Sequence, residues 1–288
     1  MNLIGLPQGN SNVVTEDFTK NLYLGQKSPK DTAVVFAPGI VSTDAFEFAI
    51  TFSTDGRDIF FTRRPSYEGA GNSIFHTSYN GTKWMKPKLA PFAKNEFVEL
   101  APYCSPDENI VYFHSEREHP ETGEKMTNNE KIWYSEKAND LWGEPIFLPG
   151  ILNMGWVMGI AAANSGVLYL CGEVEGKSGL LSSDCVNGTY SNVNKCFDGV
   201  HPYIAPNEEY IIYDLILKNW EETELYIRFK DSNGNWGKAI RLPSTINKTR
   251  TESFARVSPD GKYLFFQRKG DIYWVNFDGI LSKCKDLN

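Results

Sequence analysis

The sequence has 288 residues, with 14% aromatic and 41% hydrophobic residues and a formal net charge of −7. A disordered chain would be poor in large apolar residues, so this composition excludes one. The acidic balance argues against a nucleic-acid binder, because such a protein needs a basic surface to displace phosphate counterions. The length suffices for one large domain or two ordinary ones.

The N-terminus and the most apolar window give no sign of a targeting or membrane segment. The first residues, MNLIGLPQGNSNVV, contain neither the basic region nor the long apolar region of a signal peptide. The most apolar window, residues 150–170, is interrupted by polar residues and glycines, whereas a membrane span needs about 20 apolar residues. We therefore expect a soluble protein without a membrane span, either cytoplasmic or exported with its signal removed.

The five cysteines form an odd set without any C-x-x-C pair. This pattern predicts neither a disulfide framework nor a zinc site. Most free cysteines are buried, so we expect mainly buried thiols. A bridge between Cys185 and Cys196 stays open as an alternative for an exported protein.

One pattern occurs five times: a short strand, a turn similar to Ser-Pro-Asp-Gly, and a second apolar strand. The copies are FAITFSTDGRDIFFT from Phe48, LAPYCSPDENIVYFH from Leu100, GIAAANSGVLYLC from Gly159, VHPYIAPNEEYIIYD from Val200 and SFARVSPDGKYLFFQ from Ser253. Their turns are 52, 58, 42 and 53 residues apart. This spacing is close to the period of a β-propeller blade, about 40–50 residues.

Each unit continues with further strand signals. A third strand and a polar turn are followed by an aromatic residue at equivalent places, namely Trp84, Trp142, Tyr190 and Trp236. A fourth strand leads to a Leu-Pro or similar step in the segments KLAPF, IFLPGI and IRLPSTI. Apolar and polar residues alternate in most of these strands. Each unit therefore predicts a four-stranded antiparallel blade.

The fifth unit lacks its fourth strand, and the missing piece is found near the N-terminus. The segment AVVFAPGIVS, residues 33–42, is similar to the outer strands of other units. Pairing it with the last unit would remove an open sheet edge. We predict an all-β, five-bladed β-propeller closed by an N-terminal strand that completes the last blade. The predicted parts are an N-terminal extension, 1–30, and blades at about 43–94, 95–152, 153–196, 197–248, and 249–288 plus 31–42.

The repeat resembles the WD-type repeat of TolB-like β-propellers over about residues 22–288. The segments VSPDGKYLFFQRKGDIYWV from Val257 and FVELAPYCSPDENIVYF from Phe97 carry this resemblance. It implies a propeller fold, and the relatives include protein-docking modules, prolyl-peptidase propellers and polysaccharide-active enzymes. The fold alone does not transfer a function. Blades 3 and 4 depart from the turn motif, with Asn164-Ser165 and Asn207-Glu208.

Propellers bind ligands at the central channel, so residues near the start of each first strand and the end of each second strand are candidates. We predict that one channel face collects ligand-binding residues, namely Glu47, Arg63, Glu99, His114, His201, Asp214, Glu252, Gln267 and Arg268. Carboxylates there could hydrogen-bond sugar hydroxyls or act as an acid/base pair. The candidates for catalysis are Glu47, Glu99, Glu252 and Asp214. A structural alternative is that each glutamate pairs with an arginine of a neighbouring blade.

Other kinds of site find little support. Two channel histidines, His114 and His201, are too few for a convincing metal site even with Asp214, and we predict no metal and no cofactor. The sequence has no G-x-S-x-G elbow, P-loop or dinucleotide fingerprint. Trp220, in a polar insertion of blade 4, is a candidate for stacking on a sugar or peptide.

Three functions remain open. The first is a propeller that binds a small molecule, glycan, peptide or protein at the channel face. The second is a carbohydrate-active hydrolase or lyase that uses the channel carboxylates. The third is a docking protein that uses its outer blade edges.

Overall fold

The computed structural model describes residues 22–66, 69, 71–106, 109–126, 129–186, 189–219 and 221–288. These residues form five antiparallel sheets. In four of them, chain order runs from the innermost strand to the outermost, and in the fifth the outermost strand comes from the N-terminal part of the chain. The predicted all-β, five-bladed propeller is therefore confirmed. The exact blade boundaries stay a prediction.

The strands of the first two blades are as follows. Blade 1 contains β2 (Phe46–Phe52), β3 (Asp58–Arg64), β4 (Ser73–Ser78) and β5 (Lys88–Leu89). Blade 2 contains β6 (Glu99–Cys104), β7 (Ile110–Ser115), β8 (Lys131–Ala138) and β10 (Ile146–Phe147), and β9 (Leu141–Trp142) pairs with the end of β8.

The remaining blades follow the same order. Blade 3 contains β11 (Trp156–Ala162), β12 (Leu168–Val174), β13 (Lys177–Val186) and β14 (Thr189–Phe197). Blade 4 contains β15 (Val200–Ile204), β16 (Tyr210–Lys218), β17 (Glu222–Phe229) and β18 (Ile240–Arg241). Blade 5 contains β19 (Ser253–Val257), β20 (Tyr263–Arg268), β21 (Asp271–Asn276) and, from the N-terminal part of the chain, β1 (Val34–Val35).

The N-terminal strand closes the ring as predicted. In the antiparallel pair of β1 and β21, Val34 lies opposite Trp274. Immediately after β1, the fully buried Phe36 packs its ring 5.4 Å from Trp274 and 5.1 Å from Phe265. The outer edge of blade 5 is therefore covered by residues more than 200 positions away in sequence, which joins the two ends of the described chain.

The part of the predicted extension that the structure describes packs against the propeller. The ring of Tyr23 lies 5.9 Å from Phe52 of blade 1 and 5.3 Å from Tyr263 of blade 5. Its hydroxyl donates to Asp260 at 3.0 Å. The seam between the last and the first blade is therefore covered by this segment. Residues 1–21 lie outside the described part of the chain.

Two elements differ from the expected repeat. The C-terminal residues form a helix, α1 (Asp278–Asp286), which was not predicted and which buries Ile280 and Cys284 against the blade core. In blade 3 the outer strand β14 has nine residues and pairs directly with β13, without a Leu-Pro step. No helix in the described ranges is both long and apolar enough to cross a bilayer.

Every innermost strand contains a bulge at the same place. The pairing with the second strand shifts register in all five blades. The shift falls at residues with positive φ, namely Ala49 (52°), Ala101 (51°), Gly159 (61°), His201 (47°) and Phe254 (53°). A bulge bends its strand and redirects a side chain, which here brings these five positions towards the channel.

One of these bulges has a glycine, Gly159. A Cβ atom there would lie 3.1 Å from the Cα atom of His201 in the next blade, which is tighter than most such contacts. Blades 3 and 4 therefore pack closely at this point, and glycine avoids the crowding.

All five cysteines are free thiols. Cys104, Cys171 and Cys284 are buried, whereas Cys196 is half-buried and Cys185 is exposed. The bridge left open between the last two is not formed in this structure.

Candidate functional site

The three glutamates predicted to face the channel are completely buried and paired with arginines. Glu47, Glu99 and Glu252 have no exposed surface. In each case the arginine Nε donates to a glutamate oxygen, in the pairs Arg63–Glu47 at 2.7 Å, Arg117–Glu99 at 2.8 Å and Arg268–Glu252 at 2.7 Å. We call these three pairs the linker clamps.

The clamps hold the chain segments that connect one blade to the next. The Nη2 atom of Arg63 donates to the carbonyls of Ile40 and Val41, each at 3.1 Å. Arg117 reaches the carbonyl of Phe92, and Arg268 that of Ile246, in the same way. The structural alternative considered in the sequence analysis predicted that each glutamate pairs with an arginine of a neighbouring blade, and this prediction is wrong. Each arginine belongs to the blade of its glutamate and reaches the preceding blade through linker carbonyls.

The carboxylates of two clamps differ in their electrostatic environment. Burial opposes ionisation of Glu252, but the hydrogen bonds from Arg268 and Thr249 outweigh it, and the pKa of Glu252 is lowered. For Glu99, burial outweighs the attraction of Arg117, and the pKa is raised. Glu252 accepts hydrogen bonds from three linker amides, those of Lys248, Thr249 and Thr251, whereas Glu99 accepts one, from Lys94.

A histidine–carboxylate pair lies closer to the channel. Nδ1 of His201 is 2.6 Å from Oδ2 of Asp214, and Asp214 has no exposed surface. The backbone amide of Phe254 donates to the same oxygen at 3.3 Å. Burial raises the pKa of Asp214, although its interactions with His201 oppose the rise. The carboxylate therefore fixes the orientation of the imidazole and links the bulges of blades 4 and 5.

A cavity of about 620 Å³, which we call the channel-face cavity, lies beside this pair. Its walls come from blades 1, 4 and 5. Its lining includes the aromatic Phe46 and Phe254, the polar His201, Thr223, Thr251, Ser253 and Gln267, and the charged Asp44, Glu221 and Lys269. The ring of His201 stacks on that of Phe254, with centroids 3.7 Å apart and planes at 25°.

The structure brings together only part of the predicted site. His201 and Gln267 line the channel-face cavity, and Asp214 lies directly behind His201. The predicted residues that belong to the linker clamps are not among its lining residues, namely Glu47, Arg63, Glu99, Glu252 and Arg268. Trp220 lies outside the described residues.

His114, the remaining predicted residue, is buried with 2% of its surface exposed. Neither ring nitrogen has a hydrogen-bond partner among the described residues. Burial and the nearby His201 lower the pKa of His114 to about 4, so the ring is neutral at pH 7. Among the described residues, no group of three or more histidine, cysteine, aspartate or glutamate side chains is arranged to hold a metal ion.

His114 is expected to make the fold sensitive to acid. Its pKa is about 4 in the folded protein and about 6.5 in the unfolded chain, so between these values the unfolded chain binds more protons. The contribution of the neutral His114 to the free energy of unfolding is therefore complete above about pH 6.5. It is lost as the pH falls towards 4, and the free energy of unfolding decreases by about 3 kcal/mol. Urea denaturation at several pH values between about 4 and 6.5 gives the free energy of unfolding as a function of pH. Its slope against pH should correspond to up to one more proton taken up on unfolding in wild type than in His114→Gln. Equal slopes would contradict this account.

Several cavity residues were missed in the sequence. Thr223 and Lys269 lie in or beside the turns between the second and third strands, and Thr251 and Asp44 lie in the linkers before the first strands. These turns and linkers end at the same face of the propeller as the predicted positions. Counting forward from the end of each second strand into the following turn would have included Glu221 and Lys269.

Comparison with known proteins supports the fold. No protein-family model and no curated protein matches the chain. The chain is similar to the putative TolB from Agrobacterium tumefaciens, with a TM-score of 0.50 and 14% identity over 82% of this chain and 78% of that one. It is also similar to TolB from Acinetobacter baumannii, with a TM-score of 0.51 and 16% identity over 83% of this chain and 54% of the other, so it spans about half of that protein.

A gluconolactonase from Xanthomonas campestris is a further similar structure, with a TM-score of 0.49 and 8% identity over 91% of this chain and 93% of that one. The two TolB structures confirm the resemblance to TolB-like propellers for the fold. Identities this low carry no function to this chain.

Proposed function

We propose that this protein is a ligand-binding propeller whose channel-face cavity binds a saccharide or a similar polyhydroxylated small molecule. The observation that carries the proposal is the pairing of His201 with the buried Asp214 at 2.6 Å beside an aromatic wall of the same cavity. The pairing fixes the orientation of an imidazole ring that lines the cavity.

The shape and chemistry of the cavity fit such a ligand. Its volume of about 620 Å³ lies in the range of small-molecule sites, which is roughly 300–1,000 Å³. The hydroxyls of Thr223, Thr251 and Ser253 can donate and accept hydrogen bonds, as sugar hydroxyls do. The half-buried rings of Phe46 and Phe254 add apolar surface to the cavity wall, against which the C–H groups of a sugar ring can pack.

A carbohydrate-active hydrolase or lyase is the second candidate, and the geometry changes which residues would serve it. Glu47, Glu99 and Glu252 are engaged with arginines and linker amides, so a substrate would have to displace a buried ion pair to reach them. Asp214 favours the enzyme instead, because its pKa is raised and it contacts a histidine that lines the cavity. In an enzyme, His201 would act as acid or base and Asp214 would orient it.

Phe254→Ala tests the binding proposal. The bulge should tolerate alanine, because Ala49 and Ala101 occupy the equivalent positions with nearly the same φ. Titration calorimetry and saturation-transfer NMR with glucose, galactose, galacturonate and cellobiose should detect binding to wild type. We expect Phe254→Ala to weaken it by about tenfold, a loss of about 1.4 kcal/mol. The control is Leu141→Ala, which removes an exposed apolar side chain of β9.

The outcomes separate the two candidates. If wild type binds none of the four sugars, the binding proposal is wrong for them. Cellobiose is the one probe with a glycosidic bond to cleave. Its hydrolysis by wild type, falling more than tenfold in Asp214→Asn with binding retained, would support the enzyme. Binding of cellobiose without hydrolysis would support the ligand-binding propeller and contradict the enzyme on this substrate.

A further inference from the structure

A second cavity lies at the other end of the channel. Its volume is about 380 Å³, and we call it the turn-face cavity because the turns between the first and second strands form its rim. Ser105, Asn207 and Ser258 of these turns line it, in blades 2, 4 and 5. The innermost strands run from the channel-face cavity to these turns, so the two cavities lie at opposite ends of those strands.

Arg256 lines this cavity and has unusual surroundings for an arginine. Only 2% of its surface is exposed. Its Nη1 atom donates to the carbonyls of Pro202 at 2.9 Å and Ala255 at 2.8 Å, and its Cζ atom lies 4.8 Å from the ring centroid of Tyr103. Its Nε atom has no hydrogen-bond partner among the described residues.

Arg256 also lacks a carboxylate partner among the residues that the structure describes. Ion pairs shorter than 4.0 Å account for the buried Arg117 and Arg268, but none involves Arg256. The buried Asp214 attracts the guanidinium electrostatically, but it lies beyond ion-pair distance. Buried charges are normally paired directly, so burial of Arg256 remains costly. The stacking on Tyr103 offsets only part of this cost.

The linker clamps show what the Nε side of an arginine does elsewhere in this molecule. In Arg63, Arg117 and Arg268 the Nε atom donates to a carboxylate at 2.7–2.8 Å. The edge formed by Nε and Nη2 matches the two oxygens of a carboxylate, which it can bind through two parallel hydrogen bonds. In Arg256 the bonds to protein carbonyls use Nη1, and Nε has no partner among the described residues.

The walls around Arg256 determine what the rest of the ligand must be. They include the rings of Tyr103, Tyr203 and Phe52 and two turn prolines, Pro206 and Pro259. Such walls favour an apolar or aromatic body beside the charged group. The exposed Glu209 also lines the cavity, but its carboxylate is 3.6 Å from the Lys285 ammonium, which reduces its repulsion of an anion.

We infer that the turn-face cavity binds a small carboxylic acid with an apolar or aromatic body, whose carboxylate pairs with Arg256. The inference does not depend on saccharide binding in the channel-face cavity, because the two cavities share no lining residue. A free acid is the proposed ligand, since 380 Å³ suits a small molecule better than a peptide chain.

The test uses benzoate and its uncharged analogue benzamide as probes of the full-length protein. Titration calorimetry should show benzoate binding at least tenfold more tightly than benzamide. The ¹⁵Nε–H resonance of Arg256 should shift with benzoate and stay unchanged with benzamide. Acetyl-Leu-Phe with a free and with an amidated C-terminus distinguishes a peptide carboxylate from a free acid, and we expect neither form to bind as tightly as benzoate.

Variants of Arg256 complete the test. Arg256→Met should reduce benzoate affinity at least tenfold while keeping the fold, because it replaces a buried guanidinium that has no ion pair with an apolar chain of similar length. Arg256→Lys should also lose affinity, since lysine cannot offer two parallel donors. Lys83→Ala, the loss of one exposed positive charge in blade 1, should change nothing. Equal affinity for benzoate and benzamide, or an unmoved Nε–H resonance in wild type, would overturn the inference even if both Arg256 variants failed to fold.

Discussion

Replacing Arg268 with methionine is expected to lower the free energy of unfolding by about 3–5 kcal/mol at pH 7, because it leaves a buried charge without its partner. Glu252 has no exposed surface and receives the Arg268 Nε hydrogen bond at 2.7 Å. The same arginine holds the carbonyl of Ile246, so the linker between blades 4 and 5 loses a contact as well. Urea denaturation followed by tryptophan fluorescence measures the loss.

The double variant Arg268→Met/Glu252→Met is the matched control. Removing both partners takes away the unpaired charge, so much of the lost stability should return. The pKa of Glu252 is lowered in the folded protein, so its pairing stabilises the fold above about pH 4.5 and this stabilisation is lost as the pH falls through the folded value. The double variant should lack this acid-dependent part. If Arg268→Met and wild type have the same free energy of unfolding, the pair of Arg268 and Glu252 does not stabilise the linker.

The corresponding change at Arg117 should behave differently with pH. The pKa of Glu99 is already raised in wild type, and removal of Arg117 should raise it further. In Arg117→Met, Glu99 can then take up a proton under mildly acidic conditions, which relieves the buried charge. The stability lost by Arg117→Met is therefore expected to shrink between pH 7 and pH 5 more than the stability lost by Arg268→Met.

The repeat and the closure of the ring could be predicted from sequence because they are local patterns repeated five times. Each copy places a polar turn between two apolar strands, and the missing outer strand had a visible counterpart in residues 33–42. The C-terminal helix lacked such support. Its short segment, Asp278–Asp286, buries only Ile280 and Cys284, so the sequence contains too few apolar positions to show a helical period.

The candidate site was predicted less well, for a physical reason. Alternation along a strand shows which face a side chain lies on, but it does not show how far the side chain is from the channel axis. Glu252 and Arg268 were correctly placed at one end of their blade, yet their contacts go to linker carbonyls that no side-chain pattern reveals. By contrast, His201 and Asp214 were predicted on adjacent strands of one blade, and cross-strand pairing brings them into contact.

The cavities themselves could not be read from the sequence, because each one is assembled from several blades. The channel-face cavity combines Phe46 of blade 1 with Thr223 of blade 4 and Phe254 of blade 5. Their spacing in sequence depends on linker lengths, whereas their spacing in the fold depends on the angle between blades. Arg256 likewise occupies an ordinary inward position of its strand, and only its burial without a carboxylate partner distinguishes it.

Phe36→Ala is expected to lower the free energy of unfolding by about 3–5 kcal/mol, the usual cost of removing a fully buried aromatic side chain. Phe36 follows the closing strand β1. Its ring packs against the aromatic rings of Phe52, in blade 1, and of Phe265 and Trp274, in blade 5. The cavity left behind would therefore open at the junction of the two ends of the chain. Urea denaturation gives the size of the loss.

The control for Phe36→Ala lies four residues away in the same segment. Ile40 is 43% exposed, and Ile40→Ala should change the stability by no more than about 0.5 kcal/mol. Hydrogen exchange should locate the loss of stability. If β1 closes the propeller, the amides of β21, its partner strand, should exchange faster in Phe36→Ala but not in Ile40→Ala. Equal effects of the two variants would mean that residues 33–42 merely cover the surface. A selective loss at Phe36 would mean that a two-residue strand closes the propeller because the aromatic residue behind it anchors both flanking blades.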